Sequence, residues 1–138
     1  MNDRYLYKAK RKHDSKFFKK GEWVEGAYYI EPYTDKCFII QWNSTGLGFN
    51  EFIEVDGSSV CQCTGLKDKN GKLIWENDIV KHDFGKDQIG VQLAIVKYDS
   101  KYACYQIKPI YDWMYCDKSD CEVIGNIFDN PELLEVGE

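Results

Sequence analysis

The residues of this 138-residue chain that could carry chemistry are six cysteines, two histidines and a basic N-terminal stretch. The cysteines are Cys37, Cys61, Cys63, Cys104, Cys116 and Cys121. Cys61 and Cys63 share one face of a strand, and Cys116 and Cys121 could bracket a loop. Four thiolates can bind zinc, but structural sites favour Cys pairs two to four residues apart on tight knuckles. Only Cys116 and Cys121 approach that spacing. An even cysteine count signals disulfides in a secreted chain. The opening Met1-Asn2-Asp3-Arg4-Tyr5 lacks the apolar segment of a signal peptide. Reduced thiols serving as small apolar side chains are therefore expected, with no metal and no cofactor.

His13 lies in a charged segment and His82 late in a strand. No Ser/His/Asp or Cys/His arrangement has sequence support, so no enzyme is expected. The segment Thr64 to Lys72 holds Gly and Lys but lacks the strand–loop–helix setting of a phosphate-binding loop.

The net charge of −5 argues mildly against general nucleic-acid binding. Its distribution is uneven. Residues 1–20 carry eight Lys/Arg against two acids, so +6 there leaves −11 on the remainder. Lys8, Lys10, Arg11, Lys12, Lys19 and Lys20, with Lys16 among them, accompany Tyr5, Tyr7, Phe17 and Phe18. Such charges can contact phosphates while rings stack on exposed bases. A solvated loop offsetting an acidic body is the favoured reading of the same run. Trp113, clustered with Tyr111, Met114 and Tyr115, is the candidate for protein recognition, since exposed aromatics mark binding surfaces. The residues from Asp112 to Glu138 hold eight acids and one lysine. Opposite charge at the two ends makes self-association a further expectation.

The elements that would position these residues are strands. Tyr, Phe and Trp are abundant, and Gly, Asn and Asp supply turns. Alternation predicts strands over 5–10, 23–30, 37–42, 49–55, 79–82, 89–98, 102–110 and 123–128. Gly26, inside the second, marks a bulge or a close contact. The strand over 89–98 is apolar on both faces and is expected to be central. Asn70-Gly71 predicts a hairpin of 63–69 and 72–76 closed by a type I′ turn. Asn130-Pro131-Glu132 predicts a short capped helical turn that docks Leu133 and Leu134. No stretch approaches the roughly 20 apolar residues a membrane helix needs. A cytoplasmic protein with no membrane contact is expected. The sum is an all-β chain, a small barrel or sandwich, with an N-terminal β segment over 1–60 and an SH3-like barrel region over 61–138.

Four blocks resemble the YopX-like family of phage and prophage proteins. They are Gly21-Glu22-Trp23-Val24-Glu25-Gly26-Ala27-Tyr28, then Cys63 to Lys72 with its Thr-Gly-Leu-x-Asp-x-Asn-Gly-Lys run. Ile74-Trp75-Glu76-Asn77-Asp78-Ile79-Val80 and Val123 to Leu133 complete the set. The resemblance implies a β-rich fold with a barrel-like C-terminal half and a phage-encoded product, and it implies no activity. Asn77 stands where the family usually has Gly; Asn tolerates left-handed geometry, so the turn should survive. Cys61-Gln62-Cys63 replaces a more usual Gly-Gln-aromatic run. The resulting expectation is a non-enzymatic prophage accessory protein that binds a host or phage protein. The alternative is weak nucleic-acid binding through the basic stretch.

Overall fold

The computed structural model describes residues 5–41, 51–83, 91–100, 104–109 and 121–134. The chain divides into two compact units, Met1–Cys63 and Thr64–Glu138.

The first unit is an antiparallel sheet. Its strands are β1 (Tyr7–Lys10), β2 (Trp23–Ile30), β3 (Cys37–Gln41), β4 (Glu51–Val55) and the start of β5 (Cys61–Lys67). The order is β4-β3-β2-β1-β5. β2 serves two partners in turn: Trp23 to Gly26 pair with β1, and Ala27 to Ile30 pair with β3. Side chains alternate across the pleat, so Ala9, Val24, Ile39, Ile53 and Val55 fall on one face and form its buried core. Fully burying a branched side chain such as Ile39 contributes about 2–3 kcal/mol. Tyr7, Tyr28, Cys37 and Val60 pack around that core.

Gly26 has the close contact its position suggested. A Cβ there would collide with the Ile40 carbonyl oxygen and lie 2.9 Å from Ile39 Cγ2. The sheet curls until residues 10–12 meet 54–56, through an Arg11–Val55 bridge and two hydrogen bonds. A single-turn 3-10 helix, Gly57–Ser59, leads into β5. Asp56 accepts from the Ser58 backbone and hydroxyl, and the buried Ser59 hydroxyl accepts from the Lys10 N–H at 2.8 Å.

The second unit contains the end of β5 beside β6 (Leu73–Trp75), and a four-stranded antiparallel sheet ordered β10-β7-β8-β9. These are β7 (Asp78–Asp83), β8 (Val91–Asp99), β9 (Cys104–Pro109) and β10 (Cys121–Asn126). β8 is central, as its apolar character requires. Ile74, Val80, Ala94, Val96, Tyr105 and Cys121 make the core.

The described residues show no closed SH3-like barrel. Among the described residues no ladder joins β10 to β9, and the four strands remain an open sheet. The start of β5 is also committed elsewhere, with Gln62 opposite Tyr7 and Cys61 opposite Lys8.

The β5–β6 hairpin is present, but its turn differs from the expected type I′. Gly71 alone has positive φ, at 83°, and its N–H donates to the Asp68 carbonyl. Lys69-Asn70-Gly71 is thus a three-residue loop ending in a left-handed glycine. The Asp68 carboxylate decides this: one oxygen takes the N–H groups of Asn70 and Lys72, each at 2.9 Å. An Asp that captures the N–H two residues on fixes its own turn.

Two further turns fit their residues. Asn77 sits at φ 71°, the left-handed geometry inferred for it, and the Asp78 carboxylate accepts the Trp75 N–H at 2.8 Å. The last strand ends at Asn126 rather than Phe128, because the Asn126 side-chain oxygen takes the N–H groups of Phe128 and Asp129. Pro131–Leu134 is one 3-10 turn. Asn130 does not cap it with its side chain as expected. Its Oδ1 reaches back to the Asn126 N–H at 3.2 Å, and a Cβ on Gly125 would lie 2.5 Å from that oxygen.

Candidate interaction surface

β1 positions the first half of the basic stretch. Lys8 and Lys10 are two residues apart, so both project from the face opposite the core. Trp23 lies directly across from Lys10. The Lys8 and Lys10 ammonium groups stand 4.7 and 5.2 Å from the centre of the Trp23 ring. Each such contact is worth about 0.5–1 kcal/mol at an exposed site.

The rest of the stretch is an ordered β1–β2 connection. Its backbone is closed by Ser15 donating to the Phe18 carbonyl and Gly21 to the Arg11 carbonyl, both at 2.8 Å. The Arg11 guanidinium lies 4.0 Å from the Phe18 ring centre. Lys12 and His13 reach the Glu54 carboxylate at 3.7 and 3.0 Å. The His13 hydrogen bond first, helped by the charges of Lys36, His13 and Lys12, holds Glu54 below the usual carboxylate range against an opposing desolvation. Lys20 donates its backbone N–H to Asp14, while Lys19 accepts from Glu22 through its carbonyl. Both are exposed. Phe17 is 79% exposed, with the Lys16 ammonium 5.4 Å from its ring centre. The structure thus spreads the six cations over two places, Lys8 and Lys10 on the sheet face and the others along the connection. Trp113 lies outside the described residues.

The sequence did not single out the outward face of β2, β3 and β4. Tyr29, Phe38 and Phe52 meet there with ring centres 6.3 to 6.4 Å apart, and Phe52 is edge-on to both others. Such tilted and edge-to-face pairs are attractive in their own right. Tyr29 is 41% and Phe52 59% exposed. The signal was available in the alternation, since Tyr29, Phe38 and Phe52 each lie one residue from a core position. Only the pairing of three separate segments brings them together.

Next to the rings, a cavity of about 460 Å³ opens at the point where β2 exchanges one partner for the other. Gly26 and Ala27 contribute to its lining, with Tyr5, Ile40, Glu25 and Gln41. The Gln41 amide nitrogen donates to the Glu25 carbonyl at 3.1 Å.

In the second unit, His82 Nδ1 lies 3.1 Å from Cys121 Sγ, on directly paired residues of β7 and β10. Both side chains are buried. Burial shuts the pair away from a substrate in solvent. Cys61 and Cys63 are buried as well, and Cys104 and Cys116 have no described side chain. No group of three or more metal-ligating residues gathers among the described residues. No helix among them is long and apolar enough to cross a membrane.

The residues carrying the family resemblance have mostly backbone roles. Thr64 donates its hydroxyl to the Ile74 carbonyl at 2.7 Å, and Gly65 has φ 81°. Asp68, Gly71, Asn77, Asp78, Gly125, Asn126 and Asn130 hold turns. The fold is that of an all-β protein of two sheet units, and the family profile described as YopX protein matches residues 7–135. The chain belongs to the YopX family. It is similar to the crystal structure of protein EF1440 from Enterococcus faecalis, with a TM-score of 0.53 and 24% identity over 95% of this chain and 97% of that one. That likeness concerns the fold. A comparison with curated proteins finds no match.

Proposed function

We propose that this chain is a non-enzymatic accessory protein of a prophage that acts by binding a host or phage protein through the outer sheet face of its first unit. The prophage assignment rests on the sequence blocks shared with phage proteins. The exposed ring group of Tyr29, Phe38 and Phe52 supports the binding role. Aromatics are enriched at the centres of protein interfaces. Covering about 100 Å² of apolar ring surface returns about 2–3 kcal/mol. The shielding of His82 and Cys121 supports a non-enzymatic role.

The second reading is weak nucleic-acid binding by the basic connection. It is favoured by the exposed Phe17, whose ring centre lies 5.4 Å from the Lys16 ammonium. Weighing against it, Lys12 is paired with Glu54 and Arg11 lies on Phe18.

An affinity pull-down from host lysate, with and without nuclease and at low and high salt, separates the two. A discrete protein that survives both treatments is the expected result. Recovery of nucleic acid alone, lost at high salt, would replace the first reading by the second.

A further inference from the structure

We infer that the cavity beside the ring group is an arginine-binding site, which takes one guanidinium side chain of an extended segment of the partner protein; this rests on the interaction reading above. Ala27 presents only a methyl to the cavity, between Tyr5 and Leu6 on the β1 side and Ile40 and Gln41 on the β3 side. The cavity's size falls within the range of specific ligand pockets.

The polar groups around it include two acceptors. Glu25 carries the only formal charge in the lining, and its carboxylate makes no ion pair or side-chain hydrogen bond among the described residues. The Gln41 amide nitrogen is engaged by the Glu25 carbonyl, which leaves the amide oxygen as an acceptor. Tyr5 supplies a half-exposed ring. A carboxylate, an amide oxygen and an aromatic face suit a planar group with five N–H donors that stacks on rings. An ammonium would use the charge but neither the plane nor the fork. Lys8, the cross-strand partner of Glu25, holds its own charge over Trp23. Tyr29 is four residues along β2 from Glu25, about 13 Å in a strand. An extended partner segment therefore meets the rings about four residues from its arginine.

The test is an NMR titration of the isotopically labelled full chain, following the Gly26, Ala27 and Gln41 amide signals. The probes are acetyl-Leu-Arg-Leu-amide, the matching Glu peptide, and a short oligothymidylate. Saturable shifts with the Arg peptide, none with the Glu peptide, and about tenfold weaker binding in Glu25→Gln are expected. Ala27→Leu, which fills the cavity, should abolish the shifts while leaving the remaining spectrum in place. Equal response to the Arg and Glu peptides, shifts with oligothymidylate only, or no shift with the Arg peptide would overturn the proposal. Silence toward the Arg peptide, with partner capture still lost in Phe52→Ser, removes the arginine site and leaves the ring-face reading standing. Arginine binding with capture indifferent to Phe52→Ser does the reverse.

Discussion

Asp68 and Val123 are 55 residues apart in sequence, and a 2.9 Å hydrogen bond from the Val123 N–H to the Asp68 carboxylate joins them. The second oxygen of the same carboxylate holds the Asn70 and Lys72 N–H groups. One buried acid therefore shapes the β5–β6 turn and ties it to β10.

Asp68→Ala should destabilise the second unit by about 2–4 kcal/mol, because the buried N–H partners lose their acceptor. Chemical denaturation followed by near-ultraviolet circular dichroism would read this. A cost below that of an ordinary surface substitution would contradict the role given to Asp68.

Acid should have a related effect. Burial pushes the Asp68 carboxyl up, but the N–H groups of Val123, Lys72 and Asn70 outweigh it and hold the group below the usual carboxylate range. A lowered pKa contributes stability that is present above the unfolded value of about 4 and is lost as pH falls through the folded value. The stability gap between wild type and Asp68→Asn should thus be full at neutral pH and shrink below about pH 4. A gap independent of pH would contradict this.

Gly26→Ala should cost the first unit about 1–3 kcal/mol or more, since the added Cβ meets the Ile40 backbone, which cannot rotate away. Gly21 has positive φ but nothing within 4 Å of an added Cβ, so Gly21→Ala should cost only about 1 kcal/mol of left-handed strain. Thermal melts of the two variants would compare them, and equal costs would show that the close contact is not the constraint.

Tyr28 is partly buried against Tyr7 and donates its hydroxyl to Cys37 Sγ at 3.4 Å. Burial first, then the bond and charge of Cys37 and the charge of Tyr7, push its pKa up to about 12. A raised pKa gives stability that is full below the unfolded value of about 10 and is lost as pH rises through the folded one. Absorbance titration should show a tyrosine ionising near 12 that is missing in Tyr28→Phe. An unchanged titration curve in the variant would refute the assignment.

What the sequence disclosed follows from the range of the interactions involved. Gly26, Asn77 and the hairpin of 63–69 and 72–76 were legible because short-range sterics and turn chemistry govern them. The hairpin's turn type was misread because Asn-Gly is a strong signal only when no side chain competes, and Asp68 competes. The pairing of β5 with β1 was not legible, since it joins residues more than 50 apart in sequence. The ring face was missed for the same reason: Tyr29, Phe38 and Phe52 become neighbours only after β2, β3 and β4 pair.

The claim that the ring face is the working surface is tested most directly by comparing capture of the partner protein by three forms of the chain. These are wild type, the double variant Tyr29→Ser/Phe52→Ser, and the double variant Lys19→Ser/Lys20→Ser, each checked for retained fold. All four positions are exposed, so the lysine variant should cost under about 1 kcal/mol, while the ring variant, which ends the three ring pairs, should cost about 1–3 kcal/mol and stay folded. Capture should be lost with the ring variant and kept with the lysine variant. Full capture by the ring variant, with loss in the lysine variant, would contradict the account and move function to the basic connection.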